Sequence, residues 1–184
     1  MTPTEAKKQL RRVCLEKRLA LDKDSKKAAD EAFCRAIAAL DDFCEADLLL
    51  LFSPMRGEPD LTPLASIAAA RGIKIAFPRC EDGVMTFHTV TGKDDFAPDM
   101  FGIPSPRATL PVAKPTARTL CILPGLAAGR DGSRLGYGGG FYDRFLATFE
   151  GITVFPIYDC LLFDSLPTEA TDRPVDILIT EKGE

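Results

Sequence analysis

Five short apolar runs constrain this chain more than any other feature. Residues 48–52, 73–77, 120–123, 152–157 and 175–180 are dominated by aliphatic and aromatic side chains instead of alternating with polar ones. A strand with one wet face alternates; a run that does not is covered on both faces, as in a parallel sheet layered between helices. Helical spacings fall between the runs. The fold predicted is α/β: one three-layer domain over residues 1–184, with an open, mostly parallel, Rossmann-like sheet and helices on both faces.

Local signals fill in this frame. Thr2-Pro3-Thr4-Glu5 reads as a capping box, with proline at the first helical position, opening a helix to about Leu19. Leu10 and Val13 are its apolar anchors, while Lys7, Arg11, Cys14 and Arg18 recur at helical spacing as a basic stripe. Residues 26–40 and 64–70 predict two more helices. Residues 73–77 predict a strand ended by Pro78, and residues 84–90 an antiparallel or edge strand. The proline-rich stretch 96–115 predicts an irregular surface connection, and residues 141–149 a further helix.

Composition narrows the function. A net charge of −4 argues against a broad nucleic-acid-binding surface and permits a local basic site. The single histidine, His88, removes multi-histidine metal sites and most histidine catalysis. Phe52, Phe77 and Phe87 read as core. Six cysteines without a C-x-x-C pair predict reduced core or semi-core thiols. No apolar run approaches a membrane span and the first 21 residues lack a signal-peptide core, so a cytoplasmic protein is expected.

The chemistry concentrates after the third run. From Gly125 to Arg144 the chain holds a glycine-rich loop in which four of the five residues 136–140 are glycine. Glycine admits positive φ and close backbone approach, so successive N–H groups can converge on an anion ahead of a helix amino end. Arg134 and Arg144 bracket the loop with forks suited to phosphate, and Asp143 offers a carboxylate for Mg2+. Neither a Walker A loop nor a dinucleotide fingerprint is present. A nucleotide-using enzyme, a non-catalytic nucleotide-binding module and a sugar-phosphate isomerase all remain compatible with such a loop.

The string Gly132-Ser133-Arg134-Leu135-Gly136-Tyr137-Gly138-Gly139-Gly140-Phe141-Tyr142-Asp143-Arg144 resembles the signature of the 5-formyltetrahydrofolate cyclo-ligase family. Lys7-Lys8-Gln9-Leu10-Arg11 is similar to that family's basic N-terminal helix, and Glu58-Pro59-Asp60 with Thr62-Pro63-Leu64 to its substrate loop. Leu166-Pro167 to Asp172, Val175-Asp176 and Thr180-Glu181 are similar to its closing motif. The resemblance implies ATP- and Mg2+-dependent cyclisation of 5-formyltetrahydrofolate, polyglutamylated or not, to 5,10-methenyltetrahydrofolate. ADP and phosphate are released, by way of a phosphorylated formyl (imidate phosphate) intermediate.

It implies ATP contacts from Lys7, Lys8, Gln9, Leu10, Arg11, Arg134, Leu135, Gly136, Tyr137, Gly138, Gly139, Gly140, Phe141 and Tyr142, with Arg134 and Lys7 as the catalytic charges. Substrate contacts fall to Arg11, Ser53, Glu58, Tyr137, Gly138, Gly139, Gly140 and Phe141, and the Mg2+ carboxylates to Asp143 and Asp172. A monomer without nucleic-acid or membrane partners is expected. Three departures stand out against the family pattern. Ala128-Gly129 replaces an aromatic–acidic pair, Ser105 a glutamate and Thr171 a histidine.

Overall fold

The computed structural model describes residues 3–99, 102–169 and 172–183, so Thr2 of the expected capping box and Thr171 lie outside the described residues. The chain opens with α1 (Pro3–Leu19), α2 (Lys23–Ala38) and the short α3 (Asp41–Glu45). It continues through β1 (Leu48–Leu50), α4 (Pro63–Ala70), β2 (Lys74–Glu81) and β3 (Val84–Val90). Next come β4 (Phe96–Pro98), β5 (Pro104–Pro106), β6 (Thr119–Ile122), β7 (Ala127–Gly129) and β8 (Arg134–Leu135). The last elements are α5 (Phe141–Leu146), β9 (Ile152–Pro156), β10 (Leu162–Phe163) and β11 (Ile177–Ile179).

The apolar runs form the central sheet, ordered β11-β9-β6-β1-β2-β3. Every pairing in it is parallel except β2 with β3, so the expected mostly parallel sheet is present with one antiparallel edge. Leu49, Leu50, Cys121, Ile122 and Val154 are fully buried at its centre. Helix α4 packs on β2, α2 on α4, and α5 on β3. The order places β1 at a reversal: the chain goes from β1 to β2 on one side, then returns to β6 on the other. In such sheets the strand-end loops part at the reversal and leave a crevice at the carboxyl ends.

Three expectations are corrected. Pro78 does not end β2, which runs on to Glu81. Pro78 pairs opposite Phe87, whose backbone carbonyl turns away from β2 to accept from Ala113 N at 2.7 Å. The proline therefore occupies a non-bonding register position, and its missing N–H costs no ladder bond. Within the stretch 96–115, residues 96–98 and 104–106 are not irregular but pair as the antiparallel strands β4 and β5. Their bonding positions are marked by Arg107 N to Asp95 O and Asp99 N to Ile103 O, both 2.9 Å. Pro98, Pro104 and Pro106 share the other parity, where no N–H is needed. Finally, Cys44, Cys80 and Cys160 are exposed; only Cys14, Cys34 and Cys121 are core thiols, and all six are free.

The glycine-rich segment also divides. Its first part is a β7–β8 hairpin, joined by β10 in a second, three-stranded sheet. Asp131 closes the turn by accepting from Ser133 N at 3.0 Å, while Gly132 takes φ +82°. Residues 136–140 remain as open loop before α5.

One glycine outside that loop carries a stability prediction. A Cβ on Gly151 would lie 2.2 Å from the Thr119 carbonyl oxygen and 2.6 Å from the Phe149 ring. Thr119 opens a central strand and cannot yield, so Gly151→Ala is expected to cost about 3 kcal/mol by overpacking. Urea unfolding with an unchanged midpoint would contradict this.

Candidate active site

The carboxyl ends of β1, β2 and β6 enclose a cavity of about 330 Å³ with the glycine loop and α5. Ser53, Met55 and Glu58 reach it from the segment after β1, Pro78 and Cys80 from β2, and Pro124 from the exit of β6. Arg134 and residues 136–143 form the opposite wall. The motifs separated by some eighty residues in sequence thus meet at the strand-order reversal.

Arg134 is the central cation. Its side chain is almost wholly buried, donates from Nη1 to the Pro124 carbonyl at 3.0 Å and from Nη2 to Asp143 Oδ1 at 2.8 Å. Its Nε is buried without a partner, as is the Tyr142 hydroxyl, over whose ring the guanidinium lies at 5.7 Å. Two orphaned donors in one cavity wall are costly unless a ligand supplies acceptors. Burial pushes the Tyr142 hydroxyl pKa up, so it stays a donor. Gly138 and Gly140 take φ +93° and +66°, a conformation that side chains disfavour. A Cβ on Gly138 would sit 3.2 Å from the Arg11 guanidinium, so glycine there lets the loop meet α1 closely.

Helix α1 buries its basic stripe instead of solvating it. Lys7, Cys14 and Arg18 are buried, and Arg11 Nε donates to the Gly136 carbonyl at 2.8 Å. Leu10 and Leu15 pack on the core, whereas Lys8 and Gln9 are exposed. Val13, expected as an anchor, is not part of the packed face. Lys7 Nζ meets Glu169 Oε2 at 2.9 Å and Asp172 Oδ2 at 2.6 Å. Burial pushes the Lys7 ammonium down, but hydrogen bonds and charges from Asp172 and Glu169 outweigh it and raise its pKa.

Arg18 was visible in sequence only as the last member of the stripe. It is 2% exposed and donates to the Arg56 carbonyl at 2.9 Å, the Gly125 carbonyl at 2.7 Å and the Tyr137 hydroxyl. Cysteine at the centre of the stripe was the signal that this face turns inward, because free cysteine favours burial. Leu135 contributes a core side chain, and Ser53 Oγ donates to the Pro104 carbonyl at 2.6 Å. Arg144 is exposed and lies over the Phe141 ring at 5.0 Å. Phe77 and Phe87 are core as expected, while Phe52 also lines the cavity. His88 is buried between the Leu110 carbonyl and Thr86 Oγ1.

The expected metal carboxylates stand in different ion pairs. Asp143, its side chain 39% exposed, faces Arg134; Asp172 holds Lys7 and accepts from Glu169 N at 2.8 Å. Among the described residues no three Asp, Glu, His or Cys side chains gather as a metal cluster. Mg2+ bound through phosphates needs only one or two carboxylates, so this arrangement is compatible with it.

The sequence pattern of the 5-formyltetrahydrofolate cyclo-ligase family matches residues 3–181. The chain belongs to that family. It is 28% identical over 142 residues to the 5-formyltetrahydrofolate cyclo-ligase of Escherichia coli, covering 73% of this chain and 78% of the relative. To that of Mycolicibacterium smegmatis it is 26% identical over 192 aligned positions, covering 99% and 96%. The solved Aquifex aeolicus 5,10-methenyltetrahydrofolate synthetase superposes with a TM-score of 0.86 at 31% identity, over 96% of this chain and 90% of that one. The Mycoplasma pneumoniae 5,10-methenyltetrahydrofolate synthetase shares the fold, with a TM-score of 0.76 at 20% identity over 94% and 96%.

Within the cyclo-ligase family, this chain's departures fall unevenly. Ala128 and Gly129 are buried in β7, where a Cβ on Gly129 would strike Ser133 Oγ at 2.3 Å, and they do not line the cavity. Ser105 does line it. Among the described residues no helix is long and apolar enough to cross a membrane.

Glu58 is 2% exposed, with Oε1 accepting from the Tyr137 hydroxyl at 2.9 Å and Oε2 from Met55 N at 3.0 Å. Burial pushes its carboxyl pKa up, against the pull of Met55 N–H, Tyr137 and the Arg18 and Arg56 charges. A raised carboxyl keeps its proton in the native state over a window where the unfolded chain has lost it. Stability therefore falls as pH rises from the ordinary 4.5 through the folded value. Glu58→Gln is expected to flatten that decline in urea-unfolding free energies measured from acid to neutral pH. Parallel wild-type and variant curves would show that Glu58 does not titrate there.

Proposed function

We propose that this protein cyclises 5-formyltetrahydrofolate to 5,10-methenyltetrahydrofolate with consumption of ATP as its Mg2+ complex. The observation that carries this reading is the pair of buried, unpartnered donors, Arg134 Nε and the Tyr142 hydroxyl, beside the glycine backbone in one cavity. Such donors fit an anionic phosphoryl group bordered by a polar substrate oxygen. When bound, ATP would supply a phosphoryl group to the formyl oxygen with release of ADP, so that this oxygen can leave as phosphate while N10, giving up its proton, closes the ring.

The chain's own residues do the rest by positioning and charge. Arg134 balances charge that develops on the transferred group, held at a fixed angle by Pro124 and Asp143. Lys7 and Arg11 add positive charge from α1 for the nucleotide, and Lys8, Gln9, Leu10 and Leu135 are its further proposed contacts. Glu58 accepts from N–H groups of the folate, while Phe52 and Phe141 give its ring apolar walls and exclude water. Asp143 and Asp172 are the proposed Mg2+ carboxylates. The first is half-exposed at the cavity; the second would have to share its oxygens with Lys7.

The 184 residues would act as one domain, since α1 and the closing segment meet in the Lys7–Asp172 pair. We propose a cytoplasmic monomer acting on folate, with or without a polyglutamate tail. The test mixes purified protein with 5-formyltetrahydrofolate, ATP and Mg2+ and follows the near-ultraviolet absorbance of the methenyl product. ATP-dependent turnover is expected; binding without turnover at high enzyme concentration would overturn the reading.

A further inference from the structure

We propose that Arg18 is a positioning residue: through the Tyr137 hydroxyl it aims Glu58 into the cavity and holds it as an ionised acceptor. The role in turnover rests on the cyclo-ligase reading above, whereas the coupling between Arg18 and Glu58 does not.

The direction of the chain follows from hydrogen-bond capacity. A guanidinium only donates, so the Tyr137 oxygen accepts from Arg18 Nη2. The tyrosine proton is then free to point along its other contact, to Glu58 Oε1 at 2.9 Å. The Met55 N–H holds Oε2 at 3.0 Å. Each carboxylate oxygen keeps further lone-pair capacity for a ligand donor, and the group lines the cavity.

Charge gives the same answer. Arg18 is buried, and among the described residues no carboxylate lies within salt-bridge distance of it. A buried cation without a counter-ion is costly, and the Glu58 carboxylate is the anion reached through Tyr137. The groups facing Glu58 are Arg18 from α1, Arg56 on its own loop, Tyr137 from the glycine loop and Tyr142 from α5. Burial and the nearby Glu58 raise the Tyr137 hydroxyl pKa, which keeps it a donor.

Arg18 also fixes the frame in which the relay works. Its Nε holds the carbonyl of Arg56, a non-glycine residue at φ +49° followed by Gly57 at φ +75°. That turn sets the direction of the segment carrying Glu58. Its Nη1 holds Gly125 at the exit of β6. One side chain thereby joins the loop after β1, the loop after β6 and the glycine loop.

Two variants separate this role from packing. Tyr137→Phe removes only the hydroxyl, and Arg18→Lys keeps charge but loses the fork. In both, kcat/KM for 5-formyltetrahydrofolate is expected to fall about tenfold near neutral pH, the scale of a lost charge-assisted hydrogen bond, and to recover as pH is raised. Stability read by urea unfolding follows the coupling without turnover. The Glu58-dependent part, wild type against Glu58→Gln, should shift to higher pH when Tyr137→Phe is added to both. An inactive wild type would defeat the cyclo-ligase reading and leave this unfolding comparison to decide the coupling. A uniform loss of stability with neither pH curve displaced would overturn the proposal.

Discussion

Arg134→Lys is expected to lower kcat about 100-fold, and Arg134→Ala nearer 1000-fold, the range found when a preorganised donor to developing charge is removed. The reasoning is geometric. Two of the three guanidinium nitrogens are committed, to Pro124 and Asp143, leaving Nε unpartnered in the cavity wall. A lysine ammonium reproduces the charge, but its three donors radiate from one nitrogen and cannot span the planar fork that reaches Pro124, Asp143 and the cavity wall together. The loss should appear in kcat more than in KM, because the missing interaction is needed most where charge accumulates. Near-wild-type kcat in Arg134→Lys, with circular dichroism unchanged, would remove Arg134 from the chemistry.

Asp143→Ala is the second large effect, about 100-fold in kcat/KM, a scale typical of losing a charged group from a phosphoryl-transfer site. Two mechanisms compete, since the carboxylate faces Arg134 at 2.8 Å and is also half-exposed toward the cavity. A lost Mg2+ ligand raises the Mg2+ concentration needed for half-maximal rate. A lost brace for Arg134 leaves that concentration unchanged and lowers kcat alone. Titrating Mg2+ in Asp143→Ala and Asp143→Asn distinguishes them, and wild-type rates at every Mg2+ concentration would dismiss both.

The sheet was legible because its evidence is local: a run such as Leu48 to Phe52 declares two covered faces without reference to anything distant. The β4–β5 hairpin was not, because proline counts hide parity. Pro98, Pro104 and Pro106 forbid a strand only if they fall on bonding positions, and register is a property of the pair. The glycine loop was legible in residues 136–140 and overextended toward Gly129, where an Asx turn and β7 claim the backbone.

The site was legible as a set of residue types and less so as a set of contacts. Lys7 carries a charge in any reading, but its partners Glu169 and Asp172 lie more than 160 positions away. Tyr137 is legible in sequence as a member of the glycine string, where the resemblance implies nucleotide and substrate contacts. Its role needs Arg18 and Glu58 on opposite sides of it, a juxtaposition only the folded chain supplies.

The inward-facing stripe of α1 has a consequence for cohesion. Most helices are fastened by apolar area, which is forgiving of small displacements; this one is fastened largely by aimed bonds from Lys7, Arg11 and Arg18 to loop carbonyls, a hydroxyl and carboxylates. Aimed bonds fail together when their acceptors move. These bonds tie the helix to the glycine loop and to the closing segment. A displacement of any one of the three is therefore expected to reach the other two through acceptors only a hydrogen-bond length away.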